Sequence, residues 1–195
     1  MSRRPPAMDS AERNADIVLA AAVIAMGLLA GLYYFSSIAV MPALTAADDR
    51  TLVDAMQQMI VEIENPAFFS ILFGAPVLAG VALSQARGTG SLRAAGWIVA
   101  ALALYAVMVV VTVAVHFPLN EDLTNAGDPD RIENLAAVRD DFVTPWVAWD
   151  IVRTLATTAA SAALRGRYAF SAGPRSSAPR ATLGRCPPRT IPRRC

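Results

Sequence analysis

Trp149-Asp150-Ile151-Val152-Arg153-Thr154 sets an acid and a guanidinium one helical turn apart inside an apolar stretch, Pro145 to Leu164. Three other stretches of comparable apolarity carry no such pair. Ionised side chains at mid-bilayer depth cost roughly 2.5 to 3.5 kcal/mol each on insertion scales, so they persist mainly when paired and turned toward a bundle interior or a wet cavity. At 100° per residue, Trp146, Asp150, Arg153, Thr154, Thr157 and Ser161 share roughly a 100° arc of one helix, with Val147, Ile151, Val152 and Leu155 mostly outside it. The polar arc is expected to look inward.

Working outward, Ile17 to Val40 is an almost unbroken apolar run of 24 residues, and Gly96 to Val115 gives 20 more. Each is long enough to cross a hydrocarbon core of about 30 Å at about 1.5 Å per residue. Pro66 to Leu83 is shorter and contains Pro76. With 55% apolar residues and a mean hydropathy of +0.42, the 195-residue chain is too hydrophobic for an ordinary soluble domain. The expected fold is all-α: a four-transmembrane-helix bundle with spans near 17–41, 66–84, 95–117 and 145–164. The first run is too long for a signal h-region and lacks a polar cleavage region, so it reads as a retained anchor.

Between the first two spans, Leu52, Val53, Met56, Met59, Ile60 and Ile63 recur at helical spacing, which predicts a small amphipathic cap. Asn65-Pro66 marks a cap and a first helical position. In the connection from Pro118 to Thr144 one short helix is expected over 130–141. Gly27 and Gly31 give the first helix a surface where another backbone can approach.

All 17 basic residues are arginine, and 13 of them fall in the N-terminal arm, the link between the second and third spans, and the C-terminal tail. The two longer connections hold Arg50, Arg131 and Arg139 against 12 acids. Positive residues in short loops stay cytoplasmic, which predicts a multi-pass protein with both termini inside and the acidic connections outside. Abundant Ala, Arg and Val without lysine point to a GC-rich genome and so to a bacterial plasma membrane. The chain divides into a cytoplasmic arm (1–16), a membrane domain (17–164) and an Arg/Pro-rich tail (165–195) read as disordered. Cys186 and Cys195 lie in that tail without disulfide or metal-ligand spacing. Membrane lipid is the expected partner, nucleic acid is not, and the oligomeric state is open.

Tyr105, Thr112 and His116 lie within about 40° of one another on the third helix. His116 closes its outer end, Asn65 opens the second, and Tyr33, Tyr34, Ser36 and Ser37 sit near the outer end of the first. Asp150 lies about 8 Å and Arg153 about 12 Å into the fourth. The reactive side chains therefore gather toward one leaflet, where Trp146, Trp149, Phe68 and Phe69 would suit a flat apolar molecule bearing one or two oxygens.

Asn65-Pro66-Ala67-Phe68, Thr112 through His116-Phe117-Pro118-Leu119-Asn120, and Trp149-Asp150-Ile151-Val152-Arg153-Thr154 together resemble the three blocks of the anthrone oxygenase-like small membrane proteins. The resemblance covers about Ile17 to Leu164. It differs in two places: His116-Phe117 stands where Asn-Val is expected before Pro-Leu-Asn, and Asp150 where asparagine is expected after tryptophan. It implies oxidation of an anthrone or similar lipophilic phenol by molecular oxygen, without metal or flavin and so with no cofactor. His116 would then serve as base, Arg153 would hold the enolate, and Asp150 would orient Arg153. Asn65, Asn120, Trp146, Trp149, Thr112 and Tyr33 would contact substrate. The residues also fit a non-catalytic membrane protein that binds a lipid or quinone, or a subunit of a membrane complex. In that account Asp150 and Arg153 lock helix register, His116 is a satisfied polar group at a helix end, and the aromatic residues anchor the interface.

Overall fold

The computed structural model describes residues 10–171, which form helices without any strand. There are five: α1 (Ser10–Thr45), α2 (Asp49–Ile63), α3 (Pro66–Gly88), α4 (Leu92–Asn125) and α5 (Leu135–Ser171). Helices α1, α3 and α4 are each long and apolar enough to cross a membrane. The protein is thus a membrane protein by its helices; α5 is long enough but carries Arg139, Asp140, Asp141, Asp150 and Arg153. It nevertheless packs along α1 and α4, while α3 packs between α1 and α4 on the other side.

Small residues make this packing close. On α3, Ala75, Ala79, Ala82 and Ala86 are fully buried at helical spacing, and on α5 Ala156, Ala160 and Ala163 face the same core. Alanine at such positions lets helix axes approach and gains dispersion contacts that long side chains would prevent. Outward, Ile24, Leu28, Phe73, Val77, Val110 and Leu155 are exposed, an apolar belt unsuited to water. Of the two glycines expected to allow close approach, a Cβ on Gly27 would meet Ser161 at an ordinary 3.8 Å and one on Gly31 would meet nothing. Alanine, not that glycine pair, makes the close seam.

The prolines behave differently from the sequence reading. Helix α1 continues through Pro42 and α4 through Pro118, where span ends near 41 and 117 are expected. Each proline follows a five-residue π-helical turn, Ser36–Val40 or Thr112–His116, in which Met41 N–H bonds to Ser36 O and Phe117 N–H to Thr112 O. Proline has no N–H and its ring collides with the carbonyl four residues back; a wide turn before it lets the helix pass. The expected separate helix over 130–141 and span starting at 145 are one helix beginning at Leu135. Asn134 Oδ1 accepts from Ala137 N at 3.1 Å at its start, and Pro145 lies inside it. Helix α1 likewise starts at Ser10, before the expected 17, and α5 runs past 164 to Ser171; the remainder of the expected arm and tail, with both cysteines, lies outside the described residues.

Helix α2 forms the cap. Asp48 accepts from Thr51 N at 3.0 Å and from its hydroxyl at 2.8 Å, satisfying donors that a helix start leaves open. The buried face Leu52, Val53, Met56 and Ile60 packs on Met41, Leu123, Phe142 and Trp146, a second apolar cluster over the ends of α1, α4 and α5. Arg139 ties α5 to this cap, donating to Asp49 Oδ1 at 2.5 Å and to Thr45 O at 2.6 Å. Gln57 donates to Leu123 O and Gly127 O.

Candidate functional site

Asp150 is fully buried, and its two carboxylate oxygens are divided between two helices. Oδ1 accepts from Arg153 Nη2 at 2.6 Å on α5, and Oδ2 accepts from Ser37 Oγ at 2.8 Å on α1. Thr154 donates back to the Asp150 carbonyl and Thr157 to that of Arg153, so the hydroxyls on this face are also satisfied. A buried pair of this kind is held by geometry as much as by attraction, because each charge gives up its hydration. The serine belongs to the π turn of α1, which turns its hydroxyl toward α5.

Arg153 extends from this anchor between two aromatic rings. Its Cζ lies 4.5 Å from the Tyr33 ring centroid and 5.6 Å from that of Trp146. Both are cation–π distances, and the rings hold the guanidinium without using its donors. Trp146 in turn meets His116 edge-on at 5.3 Å and donates its indole N–H to Asn120 Oδ1 at 3.1 Å. Tyr33 points its hydroxyl to the Met108 sulfur at 3.7 Å.

His116 is 1% exposed and ends the π turn of α4. Its Nδ1 lies 3.4 Å from the Val111 carbonyl. A carbonyl can only accept, so Nδ1 carries the proton in that contact and a neutral ring presents Nε2 as a lone pair. Among the described residues Nε2 has no partner, and neither has Arg153 Nε. Buried polar atoms are normally paired, and the exceptions call for an explanation. Here both side chains line the same cavity, of about 420 Å³.

All five helices contribute to that cavity. Its walls include Tyr33 and Ser36 from α1, Met56 and Ile60 from α2, Phe68 and Phe69 from α3, Thr112 and Asn120 from α4, and Trp146 from α5. The surface is mostly apolar, with a few convergent polar groups at one wall, the usual composition of a small-molecule pocket. Of the residues singled out from sequence, His116, Arg153, Trp146, Asn120, Thr112 and Tyr33 meet here. Asp150 does not; it lies beneath Arg153 with no exposed surface. Asn65 is engaged elsewhere as a helix cap, accepting from Phe68 N at 3.0 Å and donating to Glu62 O at 2.8 Å. Trp149 is 42% exposed on the outside of α5. Two contributions are not assigned from sequence: Ser37 is placed near the outer end of the first span without a role, and the α2 roof is legible as an apolar face, but periodicity does not say what a face covers.

Among the described residues no three His, Cys, Asp or Glu side chains converge to hold a metal ion. Residues 65–163 match the model of the family described as anthrone oxygenase. The match spans α3, α4 and most of α5; Tyr33, Ser37 and the α2 roof lie outside it. No curated protein and no solved structure matches the chain.

Proposed function

The chain belongs to the anthrone oxygenase family, and from that premise we propose that it is a cofactor-independent oxygenase acting on an anthrone-like or other lipophilic phenolic substrate. The observation that carries this reading is that the His116 and Arg153 side chains, each with a buried nitrogen that finds no partner among the described residues, line one largely apolar cavity. A substrate seated in that cavity would set an acidic C–H or O–H and a neighbouring carbonyl beside these two side chains.

His116 Nε2 takes the proton from the activated carbon, and the Arg153 guanidinium holds the enolate oxygen, its charge balanced by Asp150. The carbanion forms a C–O bond with molecular oxygen. Loss of the second C–H proton and cleavage of the O–O bond then release water. Overall one methylene and one dioxygen give one ketone and one water, and the carbon supplies all four electrons. No external reductant enters the balance.

In the same reading α5 is a fourth membrane span, its buried acid and arginine neutralising each other inside the bundle. The arginine distribution supports cytoplasmic termini, with the capped end outside, in a bacterial plasma membrane. Oxygen uptake by the purified, detergent-solubilised protein with an anthrone tests the activity. Uptake that falls in His116→Ala and Arg153→Ala is expected; no uptake by the native chain, or full activity in both variants, contradicts it. Binding of a quinone by the native chain without oxygen uptake would support the non-catalytic alternative.

A further inference from the structure

The cavity's rim is uneven. Leu32 and Phe35 on α1 and Phe117 on α4 line it yet are 39%, 58% and 48% exposed, so they stand at its opening. All three lie in the C-terminal halves of apolar, membrane-length helices. The exposed carboxylate residues Glu62, in the last turn of α2, and Glu64, just after it, line it as well. Length explains the gap. Helix α3 has 23 residues where α1 has 36 and α4 has 34, and at about 1.5 Å per residue it ends well short of its two neighbours. Beyond the start of α3 at Pro66 the cavity is walled by α1, α4 and α5 under the α2 roof, and α3 reaches it only through Phe68 and Phe69 of its first turn.

We propose that this gap is a lateral portal through which a lipophilic, oxygen-bearing substrate enters from the lipid instead of from water. The proposal rests on the substrate class assigned above. An apolar lip gives a bilayer-dissolved ring system a continuous path to the cavity, and the His116 and Arg153 side chains meet its oxygens only after the ring has left the lipid. The acidic lip from α2 disfavours the same passage for an anionic phenolate arriving from solution.

The test uses the full chain in liposomes and a dihydroxyanthraquinone as probe, its binding followed by quenching of tryptophan fluorescence in a stopped-flow instrument. Bulk added at the apolar lip, by Leu32→Trp or Phe117→Trp, should slow association and release together by about fivefold or more while changing Kd less than about twofold, because an obstruction at a doorway hinders both directions alike. Glu62→Trp and Glu64→Trp should leave both rates near native. Slowing by the glutamate substitutions alone, or by none of the four, overturns the portal although the probe still binds. Failure of the native chain to bind the probe overturns the substrate assignment itself, and the portal with it. As a measurement that does not depend on the bulky variants, a nitroxide at Phe117→Cys, with Cys186 and Cys195 replaced by serine, should collide more often with oxygen than with a water-soluble nickel chelate and lose mobility when the probe binds. The reverse accessibility places the lip in water and overturns the portal.

Discussion

Ser37 on α1 donates its hydroxyl to Asp150 on α5 across 2.8 Å, so the carboxylate that holds Arg153 is itself held by another helix. Ser37 also lies 3.4 Å from Thr154 Oγ1. One hydroxyl in a π turn thus ties α1 to the carboxylate that holds the guanidinium at the cavity wall.

Ser37→Ala leaves Asp150 Oδ2 buried without that donor. Losing a hydrogen bond to a charged group costs about 1.5 to 3 kcal/mol, so denaturation in detergent should occur at lower denaturant concentration. Ser37→Thr, which keeps a hydroxyl, should recover most of the loss.

Arg153→Ala strands a carboxylate that is fully buried. Removing one member of a buried pair destabilises by about 3 to 5 kcal/mol. The double variant Asp150→Ala/Arg153→Ala should be less destabilised than the sum of the two single changes, and a double-mutant cycle measures the difference. Strict additivity would show that the pair does not act as a unit.

Trp146→Phe keeps a ring between Arg153 and His116 but removes the N–H donated to Asn120. Its effect on probe affinity should be smaller than that of Trp146→Ala, which opens a buried hole and costs about 3 to 5 kcal/mol of stability. Comparing Kd and denaturation midpoints for the two variants separates the ring from the hydrogen bond.

The cap has its own acid sensitivity. The Thr51 backbone and hydroxyl donors hold the Asp48 carboxyl below its ordinary 3.8, and the Arg50 guanidinium holds that of Asp130 below the same value. Carboxyls depressed in the folded state contribute stability above their unfolded value and lose it as pH falls through the folded one. Hydrogen exchange of α2 amides should therefore be flat from neutral pH down to about pH 5, after correction for intrinsic rates, and rise below about pH 4. Both groups are exposed, so the change should be small and confined to α2.

Much of the bundle was legible because apolar runs and the polar arc of α5 obey the same helical period: Trp146, Asp150, Arg153, Thr154 and Thr157 are all buried. The helix limits were not, because reading Pro42, Pro118 and Pro145 as boundaries assumes an uninterrupted α ladder. Two π turns remove the conflict at the first two prolines, and no residue pattern announces them. Asn65 reads as a site residue from its place at the outer start of the second span and from the resemblance, but its short amide is consumed by backbone groups three residues away on either side. Trp149 shows the same limit: three residues from Trp146, it falls just outside the inward arc, and only the packing decides which indole meets the cavity.

Isotope transfer tests the central claim most directly. The purified chain is supplied with an anthrone under ¹⁸O-labelled dioxygen in unlabelled water, and the quinone and water are examined by mass spectrometry. One labelled oxygen in the new carbonyl and one in water, with one dioxygen consumed per anthrone and the transfer lost in His116→Ala, is the predicted result. Unlabelled quinone, hydrogen peroxide in place of labelled water, or a rate equal to that without protein would contradict it.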